Sequence, residues 1–350
     1  GTVDRIDRTD NRTTRNVSER ITGNKPPPEW STEGYLIPSG SAGTPPDVHE
    51  LLLNAFGTYA NVVSTSDTYS PTDTQGAQDS LTLFDQISYV MSEHLLGAVV
   101  QEVKISGGGG GPPKLSFSGF AAQHILTGRS ALTGAATAAV VPVTDGSLFQ
   151  AGSLVGIIDP DGTTVVDTNG DTTGTLADTV GTGWAVVSVS GNNVTLSGSP
   201  AGTASLDLMI PFAALPTTAG SPTPGKDFSC TIGGTAVRCT DYEIYLNNNH
   251  NPHADEAGNQ TIPDYDEGIR TTSGKLTIRA RQDWVAWMAE RTELGTRSIV
   301  MVFGTGAGKI LTVTITSCEF EFAQISKPES GVAMFELPFV SLGAMTWVFT

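Results

Sequence analysis

Two runs of β-branched and apolar residues flank a short glycine-rich stretch, FGTGAGKIL, near the end of the chain. Its glycines stand before Lys309, as they would in a phosphate-binding loop. That motif requires a glycine at position 303 and a hydroxyl residue at 310, where this chain has Phe303 and Ile310. Because a β-branched run follows where a nucleotide-binding loop would begin a helix, the stretch predicts the turn of a β-hairpin.

Composition extends this prediction to most of the chain. Threonine, serine, glycine and valine are abundant among its 350 residues, which favours strands and turns. Acidic residues outnumber basic ones by 36 to 19, so the net charge of -17 argues against ordinary nucleic-acid binding. No apolar run approaches the roughly 20 residues of a membrane span, so no membrane partner is expected.

The three cysteines, Cys230, Cys239 and Cys318, are too few for a disulfide framework. Pairing around the turn at 233–234 sets Cys230 opposite Val237, so the first two are not direct partners. The sequence predicts reduced thiols, as in a protein assembled in cytoplasm.

Residues 1–30 have no apolar periodicity, alternate arginines with acids and end in PPPEW. This pattern predicts an extended N-terminal arm that is ordered only against another surface, with a disordered tail as the alternative. The candidate contact residues of the arm are Arg5, Arg8, Arg12, Arg15 and Trp30.

Two helices are predicted. Residues 44–57 have helical apolar spacing, with Thr44 as the cap, Gly57 as the end and His49 exposed at the rim. A second helix follows Asp283 and places three large side chains on one core face, namely Trp284, Trp287 and Met288.

The character of the sequence changes at about residue 130. Segment 134–212 lacks histidine and cysteine and reads as short strands between turns, which predicts a small β-domain inserted into a surface loop. The expected organisation is an arm over 1–30, a main domain over 31–133 and 213–350, and this insert.

Two polar stretches suggest metal sites. The loop 247–260 contains His250, His253 and Asp255, residue types that bind transition metals, but its asparagines and glycine favour an interface loop. Segment 167–178 partly imitates a calcium loop, although its sixth position is threonine and its twelfth is the shorter aspartate. No nucleophile elbow or acid/base dyad stands out. We therefore expect no metal, no cofactor and no enzymatic activity.

The order of elements resembles the tail tube (major tail) proteins of long-tailed, siphovirus-like bacteriophages. The resemblance spans roughly 20–128 and 213–350 and leaves 134–212 outside as a domain displayed on the outer surface. The stretches that carry it are NKPPPEWSTEGYLIP, VHELLLNAFG, LLGAVVQEVKIS with KLSFSGFA, YLNNN, GIRTTSGKLTIRA and FELPFVSLG.

The resemblance implies a β-sandwich with one flanking α-helix. Six copies would form a ring whose inner strands close into one large β-barrel, and stacked rings would form the conduit for the genome. The implied partners are further copies of the chain and the tape-measure, tail-terminator and tail-tip or baseplate proteins, while DNA passes without specific binding. The protein would be part of the virion, after assembly in the host cytoplasm.

Two other classes remain open at this stage. The chain could be a different virion part, such as a capsid decoration protein or a tail spike. It could also be a secreted carbohydrate-binding or adhesion module.

Overall fold

The computed structural model describes residues 5–7, 20–22, 26–72, 79–178, 181–213, 219–253, 265–279, 296–321, 324–326 and 333–350. Strands dominate this part of the chain, which contains one α-helix and several sheets, none of them closed into a barrel. The predicted mainly-β class is therefore confirmed. Within the same residues, no helix is long and apolar enough to cross a membrane.

The elements follow one another along the chain. The first part comprises β1 (Arg5–Asp7), β2 (Arg20–Thr22), β3 (Glu29–Tyr35), α1 (His49–Phe56), β4 (Gly57–Val62), β5 (Ser66–Pro71), β6 (Leu81–Ser88), β7 (Met91–Gly108), β8 (Lys114–Phe120) and β9 (Gln123–Thr127). The middle part comprises β10 (Ser130–Ala131), β11 (Val140–Pro142), β12 (Leu154–Ile158), β13 (Val165–Asp167), β14 (Trp184–Ser190), β15 (Asn193–Leu196) and β16 (Leu208–Pro211), with short 3-10 helices at Gly146–Leu148 and Leu176–Asp178. The last part comprises β17 (Phe228–Ile232), β18 (Thr235–Val237), β19 (Cys239–Asn247), β20 (Asn251–Pro252), β21 (Tyr265–Asp266), β22 (Thr271–Arg279), β23 (Arg297–Phe303), β24 (Leu311–Phe320), β25 (Gln324–Ser326), β26 (Met334–Ser341) and β27 (Met345–Phe349).

The largest sheet has 16 strands and folds back on itself at β24. The first half of β24, Leu311 to Ile315, pairs with β27, whereas Cys318 to Phe320 pair with β26. Ser317 lies between the two halves and has a φ of 52°, in the left-handed region, which redirects the strand. One layer therefore runs β4-β5-β27-β24-β23-β17-β18 and the other β24-β26-β22-β19-β7-β8-β3.

Buried side chains of both layers belong to one hydrophobic cluster, so the layers pack face to face. Strands of both layers alternate buried and more accessible residues, as period-2 packing requires. The cluster includes the fully buried Trp347 of one layer and Phe339 and Ile105 of the other. These strands form a core because their apolar residues recur at every second position.

Helix α1 lies beside β4, β5 and β7 and buries Leu52, Ala55 and Phe56. It ends at Gly57 in the left-handed conformation, as predicted, but the predicted cap at Thr44 is wrong. The prolines at 45 and 46 form a turn instead, in which the His49 N–H donates to the Pro46 carbonyl, because a residue before proline is disfavoured in helical conformation. The helix therefore begins at His49.

His49 is also less exposed than predicted. Its Nδ1 lies 2.7 Å from the hydroxyl of the fully buried Tyr69, and its ring contacts Tyr59 edge-on. The rim prediction failed because β4 and β5 cover this side of the helix.

The glycine-rich stretch 303–311 is a hairpin turn, as predicted. Phe303 of β23 pairs with Leu311 of β24, and the three intervening glycines, Gly304, Gly306 and Gly308, all have positive φ angles. The register Cys230 to Val237 is also confirmed, and the three cysteines are free.

The segment from Ser130 to Pro211 forms a seven-stranded sheet with its own hydrophobic cluster. Its buried side chains include Val141, Ile157 and Val194. It contacts the main sheet at β9, where the buried Thr127 hydroxyl donates to Ser153 at 2.6 Å. The organisation into an arm, a main domain and an insert with boundaries at 134 and 212 stays a prediction.

The predicted second helix, with Trp284, Trp287 and Met288, lies outside the described residues. So do Arg8, Arg12, Arg15 and Asp255. Arg5 belongs to β1, which pairs antiparallel with β2.

Candidate subunit interface

Strand β3 forms one edge of the large sheet. It pairs with β8 from Glu29 to Tyr35, and among the described residues no strand pairs with its other side. Its side chains from Ser31 to Tyr35 are exposed. An edge with free backbone N–H and C=O groups can accept a strand from another chain, which makes β3 a candidate contact.

Trp30, predicted as an interface residue, lies on this edge and is half-buried. Its Nε1 donates to the Phe120 carbonyl at 3.3 Å, and its ring packs against the main core. Trp30 lies between two grooves of about 900 and 610 Å³. Leu51, Phe84 and Glu93 help to line the first, and Gln101 and His250 help to line the second. An anchored tryptophan beside open grooves is typical of protein contact sites.

The hairpin of β6 and β7 presents apolar side chains to solvent. Exposed large apolar residues occur on it and on the adjacent β9, namely Phe84, Ile87, Val90, Met91 and Leu126. Phe84 lies opposite His94 and Leu126 opposite Glu93, so these two side chains are on different faces. Exposed apolar side chains near the turn, at Ile87 and Val90, make this end of the hairpin a candidate interaction site. The sequence does not predict this exposure, because alternating apolar residues indicate a buried face and no sequence signal shows that this hairpin extends beyond the core.

The loop that starts at His250 does not form a metal site in its described part. His250 is buried, contacts Tyr265 edge-on, and has a pKa that burial lowers to about 4. His253 instead pairs with Asp266 across 3.1 Å. Within the described residues, no three potential ligands lie close enough to hold a metal ion.

The calcium-like segment 167–178 is a set of turns. Asp167 accepts hydrogen bonds from the backbone N–H groups of Asn169 and Ala201, both at 2.7 Å. Asp171 accepts from the Thr173 N–H at 3.1 Å. Because these carboxylates hold the backbone, the calcium alternative has no support from the described part of the loop.

The two layers of the large sheet have different outer faces. We call the side opposite the core on β3, β8, β7, β19, β22 and β26 the charged face. It carries the exposed Arg279 at the end of β22 and three lysines, each beside a glutamate: Lys114 with Glu33, Lys104 with Glu243 at 3.1 Å, and Lys275 with Glu336 at 3.9 Å. Hydrogen bonds from the lysines lower the pKa of Glu33 and of Glu243.

The other layer presents what we call the neutral face, on β4, β5, β27, β24, β23 and β17. Along these strands the side chains that alternate with the buried ones are uncharged, and they are Thr58, Ala60, Thr68, Ser70, Ser229, Thr231, Val300, Val302, Thr312, Thr314, Thr346 and Val348. This difference between the two faces is not predictable from the sequence, because it depends on which strands become neighbours.

The described residues form a mainly-β protein with an open sheet edge, exposed apolar side chains on one hairpin and two unlike sheet faces, all features suited to contacts with other protein chains. The chain matches the family described as phage tail tube protein over residues 159–339, more than half of its length. It therefore belongs to the phage tail tube protein family. No protein with a curated description matches it.

Membership of this family makes the chain a structural component of the phage tail, and so of the virion, that assembles with itself and with other tail components. The matched range begins inside segment 134–212.

Proposed function

We propose that this chain forms hexameric rings that stack into the tail tube, the conduit through which the phage delivers its genome. The observation that carries the proposal is the open edge at β3, with Trp30 and its two grooves beside it, in a chain of the tail tube family. Pairing of β3 with a neighbouring copy would extend the layer from subunit to subunit. Closure of a ring in this way removes exposed strand edges.

The other contact surfaces have assigned roles in this assembly. The apolar residues of the β6–β7 hairpin, centred on Ile87 and Val90, are buried against another copy. The arm arginines pair with acidic residues of the adjacent ring, and the loop 247–260 adds contacts between copies. The segment 134–212 is an inserted domain on the outer surface, which its separate sheet and core support.

The proposed partners beyond the chain itself are the tape-measure protein inside the tube, the tail-terminator protein at one end and tail-tip or baseplate proteins at the other. Genomic DNA passes through without specific binding. The phage is siphovirus-like, and the tube assembles in the host cytoplasm. The chain has no enzymatic role in this proposal.

Negative-stain electron microscopy of the purified chain at rising concentration tests the proposal. We expect six-fold rings or hollow tubes, and removal of residues 1–25 should leave rings but weaken their stacking. Trimers that bind capsids would instead indicate a decoration protein. Subunits that stay single even with a tail-tip complex present would overturn the tube function.

A matched pair of variants tests the hairpin contact. Val90 and Val187 are similarly exposed, at 54% and 57%, but Val187 lies on the inserted sheet. Val90→Ser should raise the protein concentration needed for assembly, because an apolar contact between copies is lost, whereas Val187→Ser should not. Equal effects of the two changes would show that the hairpin is not an assembly surface.

A further inference from the structure

The charged face belongs to the layer that ends at β3. If β3 pairs with a neighbouring copy, this layer continues around the ring, and its side opposite the core faces either the channel or the exterior. The neutral face belongs to the layer that ends at β4 and β18. The ring therefore presents two unlike surfaces, and the lysines on the charged face raise the question of how a DNA conduit tolerates them.

Unpaired lysines in a channel would bind phosphates and retain DNA. On the charged face, however, the lysines occur as ion pairs with glutamates that belong to neighbouring strands. Glu33 of β3 accepts from Lys114 of β8, and Glu243 of β19 accepts from Lys104 of β7. Lys104 also lies 5.1 Å from the centre of the Tyr245 ring, which holds the ammonium near the sheet.

Further carboxylates stand beside these pairs on the same face, at Glu102 and Asp241. A phosphate approaching any of the three ammonium groups therefore meets a carboxylate at the same place. Such a surface is polar and hydrated but offers DNA no lysine free to replace a counterion. Arg279, at the end of β22, is the cation of this face that lies outside the three pairs. The described residues of the neutral face form no such lysine–glutamate pairs.

We propose that the charged face lines the channel and that its three lysine–glutamate pairs keep these lysines from binding the passing DNA duplex. This inference rests on the proposed tube function. The glutamates act by occupying the lysines, and the lysines in turn reduce the mutual repulsion of the carboxylates when six copies bring them together.

The first test locates the face. Ser273 on the charged face and Ser70 on the neutral face are both half-buried strand residues, so Ser273→Cys and Ser70→Cys are matched changes. Assembled tubes are treated with biotin-maleimide and then with streptavidin, which is too large to enter the channel. The unsubstituted chain reports the background from the three native cysteines.

We expect biotin to react with Ser273→Cys tubes, and streptavidin to bind that biotin only after the tubes are dissociated. Ser70→Cys tubes should not combine biotin labelling with this protection from streptavidin. The reverse pattern, or the same pattern for both variants, would overturn the assignment. Absence of tubes by electron microscopy would count against the proposed function itself, so the two failures are distinguishable.

The second test concerns the pairs. Replacing Glu33, Glu243 and Glu336 by glutamine frees the three lysines. The control replaces Asp145, Asp161 and Asp171 of the inserted segment by asparagine, which changes the net charge by the same amount. Binding of a short fluorescent DNA duplex is measured by anisotropy at several salt concentrations with the full-length chain.

We expect the glutamine variant to bind the duplex at least about tenfold more tightly than the control, with a salt slope steeper by up to about three, one per freed lysine. Similar binding by both variants would show that the glutamates contribute only general negative charge, and the proposed role of the pairs would be wrong.

Discussion

The turn 304–309 provides a sharp test of the packing, because its glycines are constrained in different ways. Gly306 and Gly308 both have left-handed φ angles, of 89° and 76°. A Cβ at Gly306 would meet open space, whereas one at Gly308 would overlap backbone atoms of Gly40 and Ser41. The Gly308 carbonyl also accepts a hydrogen bond from the Gly40 N–H at 2.9 Å.

These differences predict unequal losses of stability. Gly306→Ala should cost about 1 kcal/mol, the strain of a side chain in the left-handed region. Gly308→Ala has the same backbone strain. Its Cβ must also displace the backbone at Gly40, which costs about 1–3 kcal/mol of unfolding free energy as overpacking. The displacement breaks the hydrogen bond between Gly308 and Gly40, which costs about 1 kcal/mol more. We expect a total of about 3–5 kcal/mol.

Urea unfolding of dilute protein, followed by tryptophan fluorescence, measures both free energies of unfolding. Gly306→Ala is the matched control, since it makes the same chemical change in the same turn. Equal losses in the two variants would show that the turn does not pack against Gly40, and the reasoning from the overlap would be refuted.

Three further predictions concern the rest of the molecule. Burial lowers the pKa of His250 to about 4, below the ~6.5 of an unfolded histidine. The unfolded chain therefore binds a proton at this residue more readily than the folded chain. The contribution of the neutral, buried imidazole to stability is complete above pH ~6.5 and is lost as the pH falls towards 4. His250→Phe should flatten the pH dependence of the unfolding free energy in that window by up to about 1.4 kcal/mol per pH unit, and an unchanged slope in urea titrations would contradict this. Burial raises the pKa of the fully buried Cys318 to about 12, so iodoacetamide at pH 8 should alkylate it about a thousandfold more slowly in the folded than in the unfolded chain. Comparable rates by mass spectrometry would refute this. Replacing residues 133–206 by a short glycine-serine linker should leave the main unfolding transition in calorimetry. The larger core cluster has no member among the described residues of that range. Loss of all cooperative unfolding would show that the main domain needs the insert.

Local pattern predicted much of the fold. In AVVQEVKIS and KLSFSGFAAQ, Val103 and Ile105 alternate with Lys104, and Leu115 and Phe117 alternate with Ser116, which predicts a half-buried hairpin. That prediction is confirmed, since the two stretches pair and all four apolar residues are buried. Hairpin strands are predictable because their partners are adjacent in sequence and the turn fixes the register.

The failures share a different cause. Each depends on elements distant in the chain. Examples are the change of direction of β24 at Ser317, the contact of His49 with Tyr69 and the exposure of Val90. Periodicity indicates which side of a strand is apolar but not which surface covers it. The same limit hid the lysine–glutamate pairs, whose members Lys104 and Glu243 are 139 residues apart.

The distribution of charge bears on how a tail tube avoids binding its own cargo. Segment 134–212 holds seven aspartates and no lysine, arginine or histidine, so of the net charge of -17 only -10 remains for the rest of the chain. If that segment lies outside the tube, as proposed, its charge is separated from the channel by the sheets and by solvent that screens it within about 10 Å at 0.1 M salt. The net charge of the whole chain therefore does not predict whether DNA binds to the channel wall. What matters is how many of the cations on the channel surface have a carboxylate beside them. The lysine–glutamate pairs provide three such carboxylates, which the glutamine variant removes and the asparagine control preserves.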